Sequence, residues 1–148
     1  MEVHNLKRFL DAQNQVYLKA LAEIRNGSKE THWMWFIFPQ LKGLGQSETA
    51  RFYAISDLQE ATEYLAHPVL GRHLIEISEA LLHLKDTSAN AIFGYPDDVK
   101  LRSSMTLFAN VAPAHPVFES VLERYFNGIQ DEKTLQLLIR NKLSHDVI

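Results

Sequence analysis

The sequence contains no cysteine. This absence excludes disulfide bonds, zinc ribbons, iron–sulfur ligation and a cysteine nucleophile together. Glycine and proline are also scarce, at 6 and 5 of 148 residues, so collagen-like and low-complexity chains are excluded. The longest apolar run, WMWFIF at residues 33–38, is far shorter than the roughly 20 residues that a membrane-spanning helix needs.

A strong charge of one sign is missing as well. The 15 basic and 18 acidic residues give a formal net charge of −3, and the basic residues are spread along the chain beside acids. A protein that binds duplex nucleic acid normally carries a basic face that neutralises phosphates. The first residues also lack the basic and apolar segments of a secretory signal. We therefore expect a cytoplasmic protein that binds neither duplex nucleic acid nor a membrane.

Apolar residues, by contrast, make up 46% of the chain and recur at helical spacing almost throughout. A first stripe runs from Leu6 to Ile24 and predicts a helix that ends at Gly27. The strongest stripe consists of Leu70, Leu74, Ile77, Leu81 and Leu84. Alternation typical of strands is rare, so we predict an all-α fold. It is a single domain over residues 1–148, with about seven or eight helices, short loops and a loose tail at residues 141–148.

Helix ends are predicted from capping signals. Ser56 with Gln59 resembles a capping box, Pro96 followed by two acids is typical of a helix start, and Asp131 is placed to cap the last helix. The apolar run at residues 33–38 fits a buried strand or a short buried helix. Because no second strand is evident to pair with it, we favour the helix.

Five segments resemble one bacterial family, the domain-of-unknown-function family 1810. They are HWMWFIFPQ (32–40), GLGQS (43–47), HPVLG (67–71), IFG (92–94) and KLRSSMTLF (100–108). The resemblance extends over residues 5–138 and implies a compact multihelical fold, but no agreed activity and no set of catalytic residues. Some members are labelled "calpastatin". Such an inhibitor would be a long, polar, disordered chain, which this aromatic, core-forming sequence is not.

The first candidate site cluster lies in the HWMWFIFPQ segment. Trp33 and Trp35 are predicted to form the flat apolar wall of a ligand pocket, and Gln40 to line it. His32 is predicted to shuttle a proton, since its ordinary pKa lies near 6.5. The alternative is that the aromatic run packs in a helical core and His32 only hydrogen-bonds a helix end.

The second candidate cluster consists of Lys100, Arg102, Ser103 and Ser104, near the start of a helix that becomes wholly apolar. Two cations and two hydroxyls in this position suit a carboxylate or phosphate. Alternatively, Lys100 and Arg102 pair with the preceding acids Asp97 and Asp98, and the serines bond back to the preceding turn.

The remaining motifs carry little chemistry. The GLGQS segment lacks the preceding strand of a dinucleotide fold, so it predicts a turn that either cradles an anion above an N-capping Ser47 or simply joins two helices. His73 is expected at the polar edge of its helix. Hydrolase, kinase and metal-binding patterns are absent, and we predict neither a metal nor a cofactor.

These observations predict a protein that binds a small anionic or phosphate-bearing ligand where the two clusters meet. The alternative is a non-catalytic helical interaction module, with an exposed apolar face around residues 33–44 that binds a partner helix or a second copy of the chain.

Overall fold

The computed structural model describes residues 5–146, with side chains as far as Lys142. In this part of the chain all regular structure is helical, apart from one isolated bridge between Leu41 and Ile55. The helices are α1 (Lys7–Gln13), α2 (Tyr17–Arg25), α3 (Met34–Ile37), α4 (Glu48–Phe52), α5 (Leu58–Ala66), α6 (Leu70–Leu82), α7 (Ala89–Phe93), α8 (Asp97–Ala109), α9 (Pro116–Phe126) and α10 (Glu132–Asp146). The prediction of an all-α domain is confirmed. The count exceeds seven or eight because α3, α4 and α7 are only one turn or so long.

Helix α8 forms the centre of the fold. It packs against α5, α7, α9 and α10, and its residues Leu101, Met105, Leu107 and Phe108 are fully buried. A helix covered on several sides needs apolar residues around most of its circumference, which explains why its later turns lack a polar face. Beside it, α6 packs on α2, α5 and α9, with its predicted stripe facing inward.

The first apolar stripe belongs to two helices, and the prediction of one continuous helix was wrong. Helix α1 ends at Gln13, and α2 begins at Tyr17 after a corner. The corner turns the Gln13 side chain into the interior, where it is 2% exposed and donates to the Phe36 carbonyl oxygen at 2.8 Å. Periodicity misses this break because the apolar residues of both helices still face the core.

Most predicted helix ends are confirmed. Gly27 follows α2 with φ of +78°, a left-handed conformation in which glycine carries no Cβ penalty. Ser47 accepts from the Ala50 amide, and Asp131 accepts from the Thr134 amide. These bonds satisfy amides that lack a partner in the first turn of a helix.

One capping prediction was displaced by a residue. Asp57, rather than Ser56, caps α5 by accepting from the Glu60 amide, and the Glu60 carboxylate accepts in turn from the Ser56 amide. Helices α6 and α9 each begin after a histidine that precedes a proline. The Nδ1 atoms of His67 and His115 accept from backbone amides at these two helix starts.

Helix α10 continues through Asp146, across most of the segment predicted as a loose tail, and residues 147–148 lie outside the described range. Among the helices of residues 5–146, none combines the length and apolar character required to cross a bilayer.

Candidate functional site

The aromatic segment contributes mainly to the core. Residues 34–37 form the single turn of α3, which confirms the helical interpretation of this run. Trp33 is fully buried, and Ile37 and Phe38 are almost so, whereas Trp35 and Phe36 are partly exposed. Of the two tryptophans, only Trp35 therefore reaches the surface.

Glu23, on α2, anchors the turn before α3. Its carboxylate accepts hydrogen bonds from the Trp33 indole at 2.9 Å, the Glu30 and Thr31 amides, and the Thr31 hydroxyl. Burial alone would raise the pKa of Glu23, but hydrogen bonds from Thr31, Glu30 and Trp33 lower it to about 2. Sequence reasoning missed this residue. The available signal was an acid beside Ile24, on the apolar side of a short helix.

Three of the predicted ligand residues come together. The Lys100 ammonium lies 5.7 Å from the centroid of the Trp35 ring, and Gln40 borders the same cavity. That cavity measures about 10 Å³, which is room for roughly one water molecule. The Lys100 charge is shared with Asp97 at 3.7 Å, as the alternative interpretation anticipated. Asp97 also pairs with Lys29 at 2.9 Å.

The other predicted site residues do not border that cavity. Arg102 lies on the far side of α8 from Lys100, with its guanidinium 5.8 Å from the centroid of the Phe126 ring. His32 is exposed beside the buried Trp33.

The two serines are buried within α8. Ser103 donates to the Val99 carbonyl oxygen of the preceding turn, as the alternative interpretation proposed. The hydroxyl of Ser104 is fully buried and has no hydrogen-bond partner among residues 5–142, the part of the chain with described side chains.

A larger opening lies where the corner between α1 and α2 meets α6. This corner cleft has a volume of about 830 Å³. Its polar lining residues are Asp11, Gln13, Asn14, Gln15 and Tyr17 from the corner, and Arg72, His73 and Glu76 from α6. Small-molecule sites in proteins commonly occupy about 300–1,000 Å³, so the corner cleft falls within that range.

A stacked pair of rings forms the wall of the corner cleft. The rings of Tyr17 and His73 lie 3.6 Å apart between centroids, with an angle of 7° between their planes. The Tyr17 hydroxyl donates to the Glu76 carboxylate at 2.5 Å, and His73 Nδ1 lies 2.7 Å from Gln13 Oε1. The His73 ring is therefore held in place from two sides, by stacking on Tyr17 and by its hydrogen bond with Gln13.

The hydrogen bonds of Gln13 determine which nitrogen of His73 carries the proton. The Gln13 Nε2 atom donates to the Phe36 carbonyl oxygen and to the Tyr64 hydroxyl. A carbonyl oxygen only accepts, so the amide nitrogen must face it, and Gln13 Oε1 must accept from His73 Nδ1. The lone pair of the neutral His73 ring is consequently at Nε2.

The charge state of the stacked pair follows from its surroundings. Burial and the neighbouring Arg72 charge lower the pKa of His73, against the opposing effect of Glu76. Burial, followed by the hydrogen bond and charge of Glu76, raises the pKa of Tyr17. Both rings are therefore neutral at pH 7, and His73 presents a hydrogen-bond acceptor.

Sequence reasoning placed His73 at the polar edge of α6 and did not identify the corner cleft. The structure half-buries His73 against Tyr17, whose ring comes from another helix. The one local signal was the spacing of His73 and Glu76, three residues apart on one helical face.

Comparison with known proteins gives the relationships of the chain without an activity. A family model described as "Protein of unknown function (DUF1810)" matches residues 3–138. The crystal structure of the conserved hypothetical protein Rv1873 from Mycobacterium tuberculosis is similar, with a TM-score of 0.89 and 48% sequence identity. The match covers 90% of this chain and 96% of that one. No curated protein matches the sequence.

Proposed function

The chain belongs to the DUF1810 family of proteins of unknown function, and from the geometry of its corner cleft we propose that it binds a small anionic molecule there. The observation that carries the proposal is the fixed Tyr17–His73 pair in the wall of an open cleft of about 830 Å³. Packing alone does not require a stacked pair that is held by hydrogen bonds at both ends.

The corner cleft contains one cationic side chain that is available to a negatively charged ligand. Its two lining carboxylates already have partners, since Asp11 pairs with Lys7 at 2.9 Å and Glu76 accepts from Tyr17. Arg72 also lines the cleft and forms no ion pair with any side chain in the range 5–142. A guanidinium without a carboxylate partner can bind a carboxylate or phosphate through two parallel hydrogen bonds.

The site predicted from the sequence at Trp35, Gln40 and Lys100 remains a second location for the same ligand class. It has less support, because its cavity of about 10 Å³ would have to widen. The ligand would also compete with Asp97 for the Lys100 charge. The corner cleft needs neither change.

Thermal-shift measurements with nucleotides and phosphorylated metabolites test the proposal. We expect at least one compound to raise the melting temperature of the native chain, and Arg72→Ala to abolish that rise. The matched control is Arg140→Ala, which removes an exposed arginine of α10 outside the cleft.

The Lys100→Ala variant separates the two locations. A ligand effect that survives in Lys100→Ala and disappears in Arg72→Ala supports the corner cleft. The opposite result places the ligand beside Trp35, and a native chain that responds to no compound contradicts the proposal at both locations.

The alternative function, a helical interaction module, has less support. The apolar face expected around residues 33–44 is largely internal, because Trp33 and Phe38 are buried. Two exposed apolar side chains, Leu58 of α5 and Ile139 of α10, instead line a common groove. Sedimentation of the free chain tests self-association through this second surface. A dimer that Ile139→Glu dissociates would favour the alternative, and a monomer at all concentrations would count against it.

A further inference from the structure

We propose that the corner cleft selects anions that also carry a hydrogen-bond donor, such as inorganic phosphate or hydroxy acids, over anions that only accept. This inference rests on the proposed function and specifies its ligand class. It concerns what His73 contributes beside Arg72.

The His73 ring can make a hydrogen bond to a ligand in one direction only. Gln13 accepts from His73 Nδ1, so the ring presents an unprotonated Nε2. Nε2 has no partner among the side chains of residues 5–142 and is not among the polar atoms sealed from solvent. It is therefore open to a ligand and can only accept from it.

Both neutral and charged groups surround His73 Nε2. His73 faces Tyr17 and Gln13 from the corner, both neutral, and has Arg72 and Glu76 as charged neighbours on α6. Glu76 is occupied by the Tyr17 hydroxyl. A ligand thus meets a cation that donates, Arg72, beside a neutral ring that accepts, His73.

Simple anions differ in how well they match the donor Arg72 and the acceptor His73. Phosphate at neutral pH keeps at least one P–OH hydrogen, which it can donate to Nε2 while its other oxygens accept from Arg72. Sulfate carries no hydrogen, so one of its oxygens would face the lone pair of Nε2. Glycolate and acetate make the same comparison at equal charge, since only glycolate has a hydroxyl. Acceptors that are left facing an acceptor weaken binding.

The test is a titration of the full chain, followed by ¹H–¹⁵N NMR, with phosphate, sulfate, glycolate and acetate at constant ionic strength. Phosphate gains a hydrogen bond to His73 Nε2 where sulfate places an oxygen against it, so phosphate should bind roughly tenfold more tightly than sulfate. Glycolate should bind more tightly than acetate by a similar factor. The preference for phosphate would run against charge, because sulfate is at least as negative.

Two variants assign the preference to its residues. His73→Phe keeps an aromatic ring to stack on Tyr17 but removes the acceptor, so both ratios should fall to about one with little change for sulfate. Arg72→Gln should weaken all four anions. The control is His83→Phe, at an exposed histidine just after α6.

Each outcome bears on a different claim. If the anions bind the native chain with equal affinity, and Arg72→Gln weakens them, the proposed function stands and the selectivity inference is wrong. If none of the four binds, the selectivity inference is wrong, and the thermal-shift measurements decide the proposed function independently.

Should His73→Phe not fold, the ¹⁵N resonances of the His73 ring in the native chain decide. A protonated Nδ1 and an unprotonated Nε2 support the inference, and the reverse assignment overturns it.

Discussion

Replacing Glu23 with glutamine preserves the shape of a buried side chain and removes its charge. The carboxylate accepts from two backbone amides, the Thr31 hydroxyl and the Trp33 indole. These bonds hold its pKa at about 2 in the folded chain, against an ordinary value of 4.5. A difference of one in pKa corresponds to about 1.4 kcal/mol, so the ionised carboxylate contributes about 3–4 kcal/mol to the free energy of unfolding.

The pH dependence of this contribution has a defined sign. The folded pKa of Glu23 lies below the unfolded one, so its contribution is complete above pH 4.5 and is lost as the pH falls towards 2. The amide oxygen of glutamine still accepts part of these bonds, so Glu23→Gln should lower the stability by about 2–3 kcal/mol at pH 7, and by progressively less below about pH 4.5.

Urea unfolding followed by the helical circular dichroism signal, from about pH 7 to about pH 3, measures this difference directly. Tryptophan fluorescence is unsuitable, because the substitution touches Trp33. Glu79→Gln, at an exposed glutamate of α6, is the control and should change stability by less than about 0.5 kcal/mol. A gap between the native chain and Glu23→Gln that stays constant with pH would refute the reasoning, as would the absence of any gap at pH 7.

Three further substitutions test the fold by urea unfolding. Trp33→Phe removes the indole donor and leaves a void, and should cost about 2–4 kcal/mol; a cost below about 1 kcal/mol would contradict its structural role. Gly45→Ala would place a Cβ 2.4 Å from the Cβ of Ala50 and should cost about 1–3 kcal/mol of stability. Adding Ala50→Gly should recover most of this loss, and no recovery would show that the contact does not cause it. Arg8→Lys cannot replace all the bonds that Arg8 gives to three carbonyl oxygens and to Glu60, so a loss of about 2–3 kcal/mol is expected. An unchanged midpoint would show that these bonds are dispensable.

The fold follows from the sequence wherever apolar spacing and capping residues agree. The stripe of α6, the start of α8 and the caps at Ser47 and Asp131 are local signals, and they are found in place. The corner before Tyr17 is different, because the feature that requires it is a hydrogen bond between Gln13 and Phe36, which are 23 residues apart. Periodicity within one helix carries no information about such a bond.

The site was harder to predict for a related physical reason. Unusual residue types drew attention to Trp33, Ser103 and Ser104, yet burial leaves these side chains inside the core. The corner cleft is built from common residues, and His73 acquires its character only from Tyr17 and Gln13, which lie 56 and 60 residues away. A single sequence does not specify that such residues meet.

The orientation of one amide links the interior of the molecule to its surface. The Phe36 carbonyl belongs to the backbone of α3 and cannot donate, so it determines which way the Gln13 amide is turned. Through that amide it also determines which nitrogen of the His73 imidazole carries the proton. The hydrogen-bonding character of the His73 ring on α6 thus depends on a backbone carbonyl of another helix, α3. Changing the buried hydrogen-bond partners of Gln13 is accordingly a route to altering which ligands the corner cleft prefers, even when every residue that a ligand touches is retained.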